Sequence, residues 1–538
     1  MRIGRLAVVA CLLVLLPLQA DALRDESAAL AAAREAQFHR LWPSAAPAST
    51  APTLEIRDLL AADRPWDAAV LAARLEADAG AADAAALLAS AAARSGLLDS
   101  ALAALRRAAG ADRRLLANAA SDVADRLLAE GRAEAAIKAL TALPPRLDRE
   151  TRNRAALIKA RAQFALDRPR EAAQTLQAAE YDPLLLIGAA ADERLAAGVL
   201  QYDLALALIR SGAVDRGRAL LDRLGRDAQA AQALRDRANL SLATDFLDAG
   251  QGATARAIYE RVALEGPYSN PALLGMGWAA IGPQGAAQAS GLNLDAAGTR
   301  STPKFVLKAM QRRRLIDCEN YNRRALAPTE LCRRQQPFEQ AVVPSRAETL
   351  AEEAIAVWQA LSLRDPRDPA VREAWSALGA AAARAGQRTE AIEHYETAAG
   401  RLEAALADNA AAAERLTDDT VAAAITAIPA LAPGQALPAQ PLAAFEVALG
   451  LDAAPGIESR QGLLAQIGET RWLIAAVDGD VPDSLAALPS AQHAALTALA
   501  TSALAAEAGQ LRRWLTSVRM ALATLADPSF VLRPSPIP

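Results

Sequence analysis

The sequence predicts an all-α protein: an α-solenoid of helix-turn-helix repeats, with a long insertion inside one repeat and a helical C-terminal region. Three observations carry this expectation. Trp375, Leu378, Gly379, Gly386, Ala391, Tyr395 and Ala398 fall at the spacings of two antiparallel helices joined by a glycine turn. A simpler frame, a turn residue with a small residue five places on and a large one nine places on, recurs upstream at about one repeat period of roughly 34 residues. The 538 residues are 53% hydrophobic but only 4% aromatic. Burial must therefore come from alanine and leucine on closely packed helices, a composition that favours helix over sheet. Length alone would suggest several globular domains, but a solenoid escapes that prior because each repeat contacts only its neighbours. One continuous superhelix is expected.

The first element, residues 1–22, reads as a signal peptide. Arg2 and Arg5 precede an apolar core from Leu6 to Leu18, and Ala20-Asp21-Ala22 is a small-x-small cleavage site. The apolar run is shorter than the roughly 20 residues a membrane span needs, and no second one follows. The mature chain is expected in the periplasm without a transmembrane span. Lipidation at Cys11, which would make an outer-membrane lipoprotein, is less favoured because Val8-Val9-Ala10-Cys11 lies too near the start for a full apolar core to precede it.

Residues 23–282 are expected to hold the N-terminal repeats. The frames are Asp63, Ala68, Ala72; Gly96, Ala101, Leu105; Gly131, Ala136, Leu140; Asp167, Ala172, Leu176; Gly212, Gly217, Leu221; and Gly250, Ala255, Tyr259. The next repeat is split. Leu274, Gly275, Trp278 and Gly282 fit a first helix and turn, whereas its second helix arrives only at Ala354, Trp358, Leu361 and Pro366. An insertion of about 65 residues between them is tolerable because loop-closure entropy grows slowly with length.

The insertion, residues 283–345, has its own chemistry. With Cys11 removed, Cys318 and Cys332 are the remaining cysteines, an even pair that reads as a disulfide in an oxidising compartment. Such a bridge contributes on the order of 3 kcal/mol. The alternative is two free thiols. Between residues 300 and 343 stand ten basic residues, among them Arg312, Arg313, Arg314, Arg323 and Arg324, against four acidic ones. The whole chain carries −4. A basic segment on an acidic protein suits an anionic surface or an acidic protein face, or else is a solvated surface paired with neighbouring repeats. An exported acidic chain argues against nucleic acid.

Residues 346–416 should hold further repeats and a long helix, and 417–442 a Pro/Ala-rich linker punctuated by Pro429, Pro433, Pro438 and Pro441. Helices are expected to resume in 443–527. There Leu511, Leu515, Val518, Met520 and Leu522 suggest a buried stripe capping the solenoid or, alternatively, mediating self-association. The tail, 528–538, is expected to be disordered.

Taken together, the motifs resemble the tetratricopeptide repeat (TPR), over residues 237–271, 271–282 and 351–402 with weaker matches upstream. More narrowly, the chain resembles a bacterial exported TPR protein. Ala272-Leu273-Leu274-Gly275-Met276-Gly277-Trp278-Ala279 and the stretch from Trp358 through Asp368-Pro369-Ala370-Val371 are similar to uncharacterised Gram-negative repeat proteins. The resemblance implies capture of a protein or peptide in a groove lined by first helices. The carboxylate-clamp form of that groove needs asparagine and lysine at set places, where this chain has Asp122, Ile158 and Ser241.

The expected function is a non-enzymatic periplasmic scaffold for protein–protein interactions in envelope assembly or secretion. An envelope protein or peptide would be its partner. Arg154 and Arg161 on inner helix faces, and Arg312, Arg313, Arg314, Arg323 and Arg324 in the insertion, are the candidate contacts. The alternatives are a passive helical spacer and a cell-wall enzyme or its activator. For the latter, Glu458-Ser459 before Gly462-Leu463-Leu464-Ala465-Gln466-Ile467 resembles the glutamate motif of lytic transglycosylases, with the two halves too close. Ser301-Thr302-Pro303-Lys304 lacks the companions of a penicillin-binding protein, and Gly275-Met276-Gly277 lacks a preceding strand. No cofactor or metal motif is present, and His39, His394 and His493 stand apart from one another.

Overall fold

A computed structural model describes residues 17–44, 51–144, 146–179, 191–283, 346–451, 454–477 and 480–526. Helices α1 (Pro17–Leu41), α2 (Pro52–Ala61), α3 (Pro65–Ala79), α4 (Ala82–Arg94), α5 (Leu98–Arg107), α6 (Arg113–Ala129), α7 (Ala133–Ala139), α8 (Arg149–Ala165) and α9 (Pro169–Ala178) come first. They are followed by α10 (Ala191–Arg210), α11 (Val214–Arg226), α12 (Gln232–Asp248), α13 (Gly252–Tyr259), α14 (Ser269–Ile281), α15 (Arg346–Leu361), α16 (Pro369–Arg384) and α17 (Arg388–Arg415). The last are α18 (Asp418–Thr426), α19 (Ala439–Leu449), α20 (Ile457–Ala475), α21 (Asp483–Ala486) and α22 (Leu488–Ala526). The described residues contain no strand.

Each repeat is an antiparallel pair, α2 with α3 through α16 with α17. In seven of the eight pairs the turn is fixed by one residue in the left-handed region: Asp63 (φ 56°), Gly96 (74°), Gly131 (73°), Asp167 (55°), Gly212 (95°), Gly250 (73°) and Gly386 (74°); in the pair α14 with α15, Gly282 after the first helix is extended (φ −77°). Aspartate stands in for glycine at two of them because its short polar side chain tolerates this conformation better than most. The small residue five places on is buried in each second helix, at Ala68, Ala101, Ala136, Ala172, Gly217, Ala255 and Ala391. The large residue nine places on, from Leu105 to Tyr395, is buried beside it. Glycines let the paired helices approach. A β-carbon on Gly379 would lie 2.6 Å from the Tyr395 ring.

The split repeat is one such pair. Helices α14 and α15 pack together although residues 284–345, which separate them, lie outside the described residues. Trp358 is wholly buried, its indole N–H donates to the Leu274 carbonyl (3.2 Å), and its ring meets Trp278 edge-on at 4.9 Å.

Where the sequence suggests one continuous superhelix, the contacts form two compact units. Among the described residues, the first comprises those from 17 to 179 and from 408 to 508, and the second those from 191 to 407 and from 509 to 526. In the first unit, the residues read as a proline-rich linker are packed in place. Residues 418–426 are helical, Ile428, Leu431 and Leu437 are buried, and Leu431 N–H donates to the Gly468 carbonyl (2.9 Å). Helix α1 runs through the expected cleavage point at Ala22 and is held against α20 by Arg34, which donates to both carboxylate oxygens of Glu469 and to the Gly96 carbonyl (2.8 Å). Trp66 meets Phe38 at 6.2 Å and Trp472 at 5.3 Å.

In the second unit, Leu511, Leu515 and Val518 of α22 join the buried cluster of Trp375, Tyr395 and Leu402. Met520, read as part of that stripe, is instead 67% exposed. Two residues along a helix turn the side chain by about 200°, which puts Met520 opposite Val518.

Candidate functional site

First helices of successive repeats, α2, α4, α6 and α8, line a groove of about 730 Å³ in the first unit. Each contributes one face. Arg57, Leu60 and Ala61 come from α2; Leu87, Ser90 and Arg94 from α4; Leu115, Asn118 and Asp122 from α6; Glu150, Thr151 and Arg154 from α8. Spacings of three and four bring these side chains onto a single stripe of each helix. Leu87 and Ala86 are buried in the floor, whereas Arg57, Arg114 and Glu150 are exposed at its edges.

Local folding holds the groove in register. Asp112 caps α6 by accepting from the N–H groups of Arg114 (3.0 Å) and Leu115 (3.3 Å). Asp148 does the same for α8 at Thr151 (3.0 Å). That backbone hydrogen bond, with a second from the Thr151 hydroxyl, holds the Asp148 carboxyl below its usual range.

The centre of the groove is a three-residue polar bridge. The Asp122 carboxylate, only 8% exposed, accepts from Arg154 Nη2 (2.5 Å) on one oxygen and from the Ser90 hydroxyl on the other. The bridge ties α4, α6 and α8 together. Burying Asp122 without a cation would cost several kcal/mol, so Arg154 neutralises the floor while its side chain stays 44% exposed. The arrangement offers a charged, hydrogen-bonding surface over apolar walls.

Of the residues singled out from the sequence, Arg154 lies in the groove and Arg161 does not. Arg161 is exposed on the same helix, about 10 Å further along, beyond the lining residues. Cys318, Cys332, Arg312, Arg313, Arg314, Arg323 and Arg324 lie outside the described residues. At the clamp positions Asp122 is neutralised by Arg154, Ile158 is buried, and the Ser241 hydroxyl pairs with that of Tyr202 (2.8 Å). Glu458 is exposed in the first turn of α20 and does not line the groove.

Arg57, Arg94 and Arg114 escape a reading that takes each repeat alone. Their signal lies in offsets from the turns. Arg57 and Ser90 stand six residues before Asp63 and Gly96, Asp122 nine before Gly131, and Arg154 thirteen before Asp167. The groove crosses the first helices on a diagonal, so no single offset finds it.

Among the described residues, no group of three His, Cys, Asp or Glu side chains is placed to hold a metal ion, and no helix is long and apolar enough to cross a membrane. No protein-family model matches the chain, and no curated protein does. Among solved structures, the APC/C hetero-tetramer Cut9–Hcn1 is similar at 14% identity over 88% of this chain and 89% of that chain, with a TM-score of 0.25. Naa15/Naa10 bound to HypK-THB is similar at 11% identity over 87% and 79%, with a TM-score of 0.19. Scores at this level leave the assignment to the helix pairs, their left-handed turns and their buried small residues. By those features the fold is an all-α, TPR-like repeat.

Proposed function

We propose that this chain is a non-enzymatic scaffold that holds an extended segment of a partner protein in the groove formed by α2, α4, α6 and α8. The observation that supports it is the groove itself, which presents Arg57, Arg114 and Arg154 above apolar walls around a neutralised carboxylate. Arginine forks and backbone-compatible polar groups over an apolar floor suit an extended peptide with acidic or carbonyl-rich stretches. Residues 1–22 point to export, so the partner is an envelope protein met in the periplasm during assembly or secretion. The basic insertion, residues 283–345, closed by a Cys318–Cys332 disulfide, supplies a second contact to that partner or to an anionic surface.

The experiment is a crosslinked capture from the envelope fraction with three proteins: the parent, Arg57→Glu/Arg114→Glu, and a chain with residues 283–344 replaced by a short loop. Loss of the same partner in the charge-reversed protein, by at least tenfold in yield, supports the groove. Retention in that protein with loss on shortening the insertion moves recognition to the insertion. Capture of nothing by the parent contradicts the scaffold reading.

A further inference from the structure

The first unit contains a second cavity, of about 740 Å³, built from a different layer of helices. Its walls are α1, the 3-10 turn at Trp42–Ser44, and the second helices α3 and α5, with Ala85 and Leu88 of α4 at the base. On α4 these two residues project away from Leu87 and Ser90, which face the groove, so the two cavities use opposite faces of the same helix.

The lining has three parts. Phe38 and Trp42 form an aromatic wall, with Phe38 almost fully buried and Trp42 half-buried. Opposite them Ala73, Ala77, Ala81 and Ala103 leave space where larger side chains would fill it. Around the opening stand three carboxylates, Glu35, Glu76 and Asp99, against one guanidinium, Arg107.

The charges are not balanced within the cavity. Arg107 is paired with Glu76, donating through Nε (2.5 Å) and Nη2 (2.9 Å) to its two oxygens. That leaves Glu35 and Asp99. Glu35 is 17% exposed and is aimed by Ser100, whose N–H (3.1 Å) and hydroxyl (2.5 Å) donate to its two oxygens. These neutral donors fix the carboxylate but do not cancel its charge. The nearest basic group to Glu35 is the largely exposed His39 imidazole, with Nε2 at 3.8 Å. Asp99, next to Ser100 in sequence, is exposed at the rim.

A held carboxylate beside a second free one repels an anion. A purely apolar ligand would strip water from both without compensation. Among the described residues, no three His, Cys, Asp or Glu side chains gather to hold a metal ion. A long side chain with an apolar stem and a cationic head meets every part of the lining. Its stem lies along the alanines and Phe38, its head reaches the carboxylates, and the indole face of Trp42 adds cation–π attraction.

We propose that this cavity is a second peptide site that takes a lysine or arginine side chain from an extended segment of a partner protein. It is separate from the groove in lining and in charge, so one can fail without the other.

The test uses the full chain and two neutral-dye-labelled peptides, Ala-Ala-Lys-Ala-Ala-Lys-Ala-Ala and the same peptide with norleucine for lysine, followed by fluorescence anisotropy. The expected result is that the lysine peptide binds at least tenfold more tightly than the norleucine peptide. In Glu35→Gln/Asp99→Asn the preference falls below twofold, while in Arg57→Glu/Arg114→Glu it persists. Glutamine keeps an acceptor for Ser100, and matching thermal transitions confirm that the variants are folded. Equal binding of both peptides to the parent overturns the proposal, as does no binding of either, or a lysine preference that survives loss of the two carboxylates.

Discussion

Trp358 lies so close against Gly277 that a β-carbon on the glycine would sit 2.2 Å from the indole Cε2. The two residues belong to helices α14 and α15, which residues 284–345 separate in the chain. Gly277→Ala is therefore expected to destabilise the second unit by about 1–3 kcal/mol through overpacking. Trp358→Ala should cost about 3–5 kcal/mol through the cavity it leaves. In a double-mutant cycle read by denaturant midpoints, Gly277→Ala should cost almost nothing once Trp358 is replaced by leucine. Strict additivity would show that the two helices do not meet this way.

Asp122 depends on Arg154. Removing the guanidinium in Arg154→Ala leaves a buried carboxylate with only Ser90 as donor, and should destabilise the first unit by about 1–3 kcal/mol, less than a fully buried pair because Arg154 is half exposed. Arg154→Ala/Asp122→Leu should recover most of that loss in thermal melts. Partner capture that falls in the single variant alone reports instability, and capture that falls in both reports recognition.

A deeper pair makes a larger effect. Arg460 and Glu446 are 1% and 3% exposed, and Arg460 also donates to the carbonyls of Pro455 (2.7 Å), Leu451 (3.3 Å) and Ala454 (3.2 Å). Arg460→Met alone should cost about 3–5 kcal/mol, and Arg460→Met/Glu446→Leu much less, because the double change strands no charge. Equal losses in urea titrations would contradict this.

Glu260 makes the second unit pH-sensitive. Burial pushes its carboxyl up to about 7, with Arg256 opposing and the neighbouring Glu353 reinforcing the rise. Burial also raises Glu353, despite its ion pair with Arg256. With a folded pKa above the unfolded one, the native state binds more protons over the interval between about 4.5 and about 7. Stability is then full below the interval and is lost as pH rises through it. Glu260→Gln should stabilise at pH 8 by on the order of 1 kcal/mol, allowing for solvent screening of a partly exposed group, and have little effect at pH 4. A pH-independent difference in melting temperature would rule this out.

The repeat geometry was legible because it is local. A left-handed residue, a small residue five places on and a large one nine places on all belong to one turn and its following helix, so Asp63 and Asp167 could be recognised without glycine. What escaped was non-local. The Arg34–Glu469 pair joins residues 435 positions apart, and Gly434 packs within 2.4 Å (from a β-carbon position) of the Arg94 carbonyl. Prolines 429 to 441 report broken helix but say nothing of what the broken backbone packs against. The groove itself combines one stripe from each of four helices at shifting offsets, which no single repeat displays.

The most direct test places a photo-crosslinking amino acid at Leu115, half-buried on the groove wall, and separately at Arg106, exposed on α5 and outside both cavities. The scaffold account predicts a discrete crosslinked partner from Leu115 in the envelope fraction, lost in Arg57→Glu/Arg114→Glu, and none from Arg106. No crosslink from Leu115, or the same products from both positions, would contradict it.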